Sequence, residues 1–211
     1  MKNLSMEQLT SQYYDVLKEL GNIGAGNATT ALAQLVGCKV DMSVPQVSLL
    51  DFKELGDVVG GDEQIMAGIY LQVEGDIEGS MMFIQKKISA GHLVDKLMGG
   101  MLNLSDEELV DHEFGEMEVS AVKEVGNIIT GAYLNALSSL TNLKIYPSIP
   151  QLAIDMAGAL LSVPAVEFGV FADKILLVQT RFSDELDLDG FFILIPDMES
   201  YEKILRALGV M

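Results

Sequence analysis

The stretch ELGNIGAGNATTAL beginning at Glu19 returns 105 positions later as EVGNIITGAYLNAL beginning at Glu124. Glu, Gly, Asn, Ile, a later Gly and the closing Ala-Leu coincide. The same offset sets KVDMSVPQV from Lys39 against KIYPSIPQL from Lys144, with Lys, Ser, Pro and Gln identical and Val44/Ile149 and Val47/Leu152 conservative. A third match, GSMMFIQKKISAGHLVDKLMG from Gly79 with GFFILIPDMESYEKILRALG from Gly190, has an offset of 111. The extra residues of the second copy fall in the polar stretch SDELDLDG. Three matches in one order define an internal duplication, and a long period of this kind constrains the fold more than any local propensity.

Each copy reads as a helix carrying Glu-x-x-Asn, an extended segment around a Pro, a hairpin and a closing helix. In the first copy the hairpin lies in GIYLQVEGDIEGSMMFIQ, where apolar runs flank Glu74-Gly75-Asp76. In the second copy the expected strands are AVEFGVF, KILLVQTRF and GFFILIP. The stretch LSDEELVDHEFGEMEVSAVKEV between the copies reads as helical throughout, its charge run as a solvated helix start. Two units, each with a half-covered sheet, bury most by sharing one core. The expectation is therefore a single domain over residues 1–211 made of two repeats, about 1–105 and 106–211. Its fold class is α+β: internally duplicated, pseudo-twofold, with an antiparallel sheet and two long exposed helices.

The chain carries 13 basic and 31 acidic residues, a formal net charge of -18. Nucleic-acid binding depends on neutralising phosphates with Lys and Arg, so this balance argues against it, and anionic membrane surfaces are disfavoured likewise. The single Cys38 excludes an intramolecular disulfide framework and reads as a buried small hydrophobe. No apolar run is long and uninterrupted enough for membrane insertion: LLSVPAVEFGVFADKILLVQ is broken by Pro164, Glu167, Asp173 and Lys174 and reads as strands. The N-terminus has no apolar signal core, so a cytoplasmic protein is expected.

On a wheel at about 100° per residue, Leu17, Leu20, Gly24, Ala28, Ala31 and Leu35 form the core face of the first helix. Asp15, Glu19, Asn22 and Gly26 fall within about 60° of arc on the other side, and Ser120, Glu124, Asn127 and Gly131 repeat that stripe. Gly24 belongs to the packing face. Gly26 and Gly131 have no packing reason and leave a shallow dent beside two polar groups. An exposed Glu and Asn are ordinary for a solvated face. Their recurrence, while neighbours such as Thr29/Leu134 and Gly24/Ile129 have drifted, points to use by something outside the chain.

A Glu and an Asn one turn apart stand side by side. With no His, Cys or Ser–His pair nearby, nucleophilic catalysis is disfavoured, and one carboxylate with one amide makes a poor metal site. The pair can dock on a cation and hold a water. Positioning of that kind supplies most of the catalysis in phosphoryl hydrolysis. His92 and His112 lie apart from any second ligand, and GNIGAGN lacks the Lys-Ser/Thr of a phosphate-binding loop.

The full pattern, Asp15-x3-Glu19-x2-Asn22-x22-Pro45 and Ser120-x3-Glu124-x2-Asn127-x22-Pro150, resembles the signature of the CheC/CheX/FliY family of chemotaxis phosphatases. The resemblance implies hydrolysis of the aspartyl phosphate of the response regulator CheY, with no cofactor on this chain and Mg2+ carried by the phosphorylated partner. It implies that Asn22 and Asn127 orient the attacking water and that Glu19 and Glu124 pair with the regulator's active-site Lys. Asp15 and Ser120 would lie at the edge of the contact, and Pro45 and Pro150 would fix strand entry beneath the helix. Clearance for the docked regulator is our own reading of Gly26 and Gly131. The family also implies a second partner, the receptor deamidase CheD, with no footprint readable here. The rival readings are a non-catalytic docking module like the switch protein FliM, which lacks the Glu-x-x-Asn pair, and a scaffold that holds the deamidase.

Overall fold

The computed structural model describes residues 11–43, 45–50, 52–168, 175–184 and 188–209. The chain opens with α1 (Ser11–Val36), β1 (Val40–Met42), β2 (Gln46–Leu50), α2 (Phe52–Val59), β3 (Ile65–Gly75), β4 (Gly79–Lys86) and α3 (Lys87–Leu97). A short α4 (Asp106–Asp111) precedes α5 (Glu116–Thr141), β5 (Ile145–Pro147), β6 (Gln151–Met156), α6 (Ala157–Phe168), β7 (Ile175–Asp184), β8 (Leu188–Pro196) and α7 (Met198–Ala207). The order helix, two strands, helix, two strands, helix thus occurs twice. The two long helices each span 26 residues.

All strands join one antiparallel sheet with the path β1-β7-β8-β4-β3-β5; β2 also pairs with β7 and β6 with β3. The extended segment of each half therefore completes the hairpin of the other. At the centre, β4 and β8 pair with Met82 opposite Ile193. These residues are 111 apart, the offset that aligns the two hairpins in sequence.

The expected half-covered sheet is corrected by α2 and α6. Met81, Phe83, Phe192 and Leu194 face a core made with α1, α3, α5 and α7. Met82, Ile84, Phe191, Ile193 and Ile195 face a second core made with Leu55 and Val59 of α2 and Leu160 and Leu161 of α6. Successive side chains of a strand alternate between faces, and the unbroken apolar runs of β4 and β8 demand cover on both.

Three further expectations are revised. The strand expected at AVEFGVF is helical through Phe168 in α6, with Pro164 inside the helix, and Gly169–Phe171 lie outside the described residues. The stretch from Leu104 to Val125 is not one helix. His112 turns to extended backbone after α4, and Glu118 accepts the N–H of Gly115 to start α5 afresh. Leu35, assigned to the core face, is 38% exposed in the last turn of α1. In that last turn it is the next residue, Val36, that packs against the core.

Both long helices stop in the same way. Gly37 (φ 68°) and Asn142 (φ 57°) take the left-handed conformation, donating their N–H groups to Ala33 O at 3.0 Å and Ser138 O at 2.8 Å. Gly and Asn are the residues that tolerate this turn.

Candidate active site

The two stripes are built by what lies on the opposite side of each helix. In α1, a Cβ built on Gly21 would lie 3.4 Å from Val47 and Val178 and 3.5 Å from Pro45, so the helix rests directly on the sheet edge. Pro45 is buried and immediately precedes β2, as Pro150 precedes β6. In α5 the matching Gly126 lies under Ile69, where a Cβ would come within 2.3 Å of Cδ1. Each seating glycine immediately precedes the site Asn. Its repetition in both copies was the sequence signal for this seat, and only the structure gives it a role.

With the inner face so seated, Asp15, Glu19 and Asn22 of α1 and Ser120, Glu124 and Asn127 of α5 are all exposed. Their side chains make no hydrogen bond or ion pair among the described residues. A Cβ built on Gly26 or on Gly131 meets nothing within 4 Å among the described residues. Each dent is therefore open to solvent, as the stripe requires, while Gly24 is closed by the Tyr133 ring.

The two sites differ in their support. Behind Asn127, the buried Thr130 hydroxyl donates to Gly126 O at 2.7 Å and Asn127 O at 3.3 Å, holding the turn that presents the amide. The matching position in α1 is Ala25. Upstream, buried Glu118 pairs with His112 Nε2 at 2.8 Å and fixes the first turn of α5. Thr130 and Glu118 carried no motif signal; a Thr in the middle of a helix acquires this role only when its hydroxyl is seen bonding back to the preceding turn.

Among the described residues no group of three or more His, Cys, Asp or Glu could hold a metal. His92 is engaged with Asp106 at 2.7 Å. Cys38 is half-buried just beyond the end of α1, more open than expected. No described helix is long and apolar enough to cross a membrane. Three surface grooves, around Gly60–Ile65, around Gln72–Gly79, and between Lys87, Phe114 and Ile154, contain no stripe residue. Each stripe presents a carboxylate and an amide to solvent from one face of a long helix.

A family model described as CheC-like matches residues 14–49 and 117–154, which span each stripe and its Pro. Over 204 residues the chain is 39% identical to the CheY-P phosphatase CheC of Bacillus subtilis (strain 168), covering 95% of this chain and 96% of that one. The chain belongs to the CheC-like family. Its fold matches Thermotoga maritima FliY with a TM-score of 0.72 at 22% identity, over 96% of this chain and 98% of that one. The FliM middle domain of H. pylori matches at 0.68 with 11% identity, over 94% and 99%. That fold is thus shared by very different sequences, and the function must be argued from the stripes.

Proposed function

We propose that this chain hydrolyses the aspartyl phosphate of a phosphorylated chemotaxis response regulator, CheY, in the cytoplasm. The observation that carries this reading is the pair of exposed Glu–Asn stripes, each with unengaged side chains beside an open glycine. Its identity to a relative named CheY-P phosphatase CheC supports the same reaction.

In this reading a regulator docks on α1 or α5 with its phosphorylated cleft over the stripe. Glu19 or Glu124 pairs with the regulator's active-site Lys and fixes the orientation. Asn22 or Asn127 enters the cleft, accepts a hydrogen bond from a water and holds it in line with the phosphorus. A Mg2+ would be held by the partner and would offset charge on the phosphoryl group; the water's oxygen forms the new bond to phosphorus as the bond to the aspartyl carboxylate breaks, releasing inorganic phosphate. An aspartyl phosphate hydrolyses unaided, so orienting one water need supply only a few kcal/mol, at about 1.4 per factor of ten. The second partner, CheD, is carried over from the family alone, with no residue of this chain assigned to it.

The Glu–Lys contact is tested by charge exchange. Glu19→Lys with Glu124→Lys should abolish accelerated decay of the phosphorylated regulator, and a Lys→Glu regulator should recover binding to that variant. Full acceleration by the doubly reversed chain would remove the carboxylates from the reaction. If the chain binds the regulator but never speeds its decay, it is a docking module on the fold it shares with FliM.

A further inference from the structure

Along α5 the stripe runs through Ser120, Glu124, Asn127 and Gly131. One turn before Ser120, about 60° around the wheel, stands Met117, a residue 73% exposed. The rest of the stripe is polar or bare. An apolar side chain at this solvated position does nothing for the helix itself, because Glu, Gln or Lys propagates a helix about as well. The first turn also favours carboxylates, which Glu116 and Glu118 already supply. The offset of 105 places Gln12 at the matching position of the first half, so the two stripes differ in chemistry at their N-terminal end.

We propose that Met117 is the apolar anchor of the second docking surface, seating in an apolar depression beside the phosphorylated cleft of the response regulator. This rests on the reading of Glu124 and Asn127 given above. A thioether side chain is long, unbranched and polarizable, and it adapts to a shallow hollow better than a branched one. Met is enriched at protein interfaces, where it contributes burial without a charge. That matters for a chain of net charge -18 approaching an anionic phosphosite. Long-range repulsion opposes encounter, and burial of an uncharged side chain is the attraction that salt does not weaken. Glu124 then sets orientation, Asn127 holds the water, and Met117 sets how long the regulator stays.

The test isolates the second site with Asn22→Ala and follows decay of phosphorylated CheY over a range of regulator concentrations. Met117→Gln, which installs the residue found at position 12, should raise KM on the order of tenfold and leave kcat unchanged. Met101→Gln removes a comparably exposed Met (78%) from the loop between α3 and α4 and should change neither. In an Asn127→Ala background, Gln12→Met should lower the KM of the first site. If Met117→Gln leaves KM unchanged while Asn127→Ala in the same background abolishes turnover, the anchor is refuted and the amide mechanism stands. If Asn127→Ala has no effect there, the reading of the site fails and takes the anchor with it.

Discussion

Gly24 of α1 lies against the ring of Tyr133 on α5: a Cβ at residue 24 would sit 2.4 Å from Cδ1. The ring cannot swing away freely, because its plane is stacked on Phe192 of β8 with centroids 4.0 Å apart. Tyr133 thus joins the two site-bearing helices to each other and to β8, beside the seats at Gly21 and Gly126.

Gly24→Ala should therefore destabilise the protein by about 1–3 kcal/mol, the usual penalty for overpacking a filled core. For a chain of this length that lowers Tm by roughly 2–4 °C per kcal/mol. Thermal unfolding checks this. Combining it with Tyr133→Leu should recover part of the loss, and a strictly additive pair would mean that the two residues do not press on each other.

The stripe glycines behave oppositely. Gly26→Ala and Gly131→Ala meet open space, so each should gain up to about 1 kcal/mol from helix propensity. If a regulator closes over the dent, the same methyl group should slow phosphate hydrolysis at its own site on the order of tenfold, since small displacements at a reacting centre cost heavily. A variant that is both more stable and fully active would show that nothing comes close there.

The stripes were legible because a repeated Glu-x-x-Asn and a repeated Gly stand out against drifted neighbours. The central hairpins were legible because their apolar runs are continuous. α6 was not. AGALLSVPAVEF is apolar almost throughout and contains Pro164, so it offers no helical periodicity to distinguish it from a strand. The seats of Gly21 and Gly126 could not be read either, because they depend on which residues of distant strands lie beneath them.

Gln85 of β4 is fully buried, and neither its amide nitrogen nor its oxygen has a partner among the described residues. An unsatisfied buried amide costs about 1–3 kcal/mol. Gln85→Met keeps the volume and removes the polar atoms, so chemical denaturation should show a gain of about that size. A loss would mean that the amide is satisfied in solution.

Helix termination offers a matched pair. Gly37→Ala, forced into φ 68°, should lose about 1 kcal/mol, whereas Asn142→Gly at φ 57° should be neutral or slightly stabilising. Equal effects at the two ends would contradict the left-handed caps.

The central claim is that two amide side chains each orient a water on a partner's phosphoryl group. It is tested most directly by the decay rate of phosphorylated CheY with wild type, Asn22→Ala, Asn127→Ala and the double variant. Accelerated decay with wild type, partial loss in each single variant and loss in the double variant is the expected result. A double variant that still accelerates decay like wild type would contradict the mechanism outright.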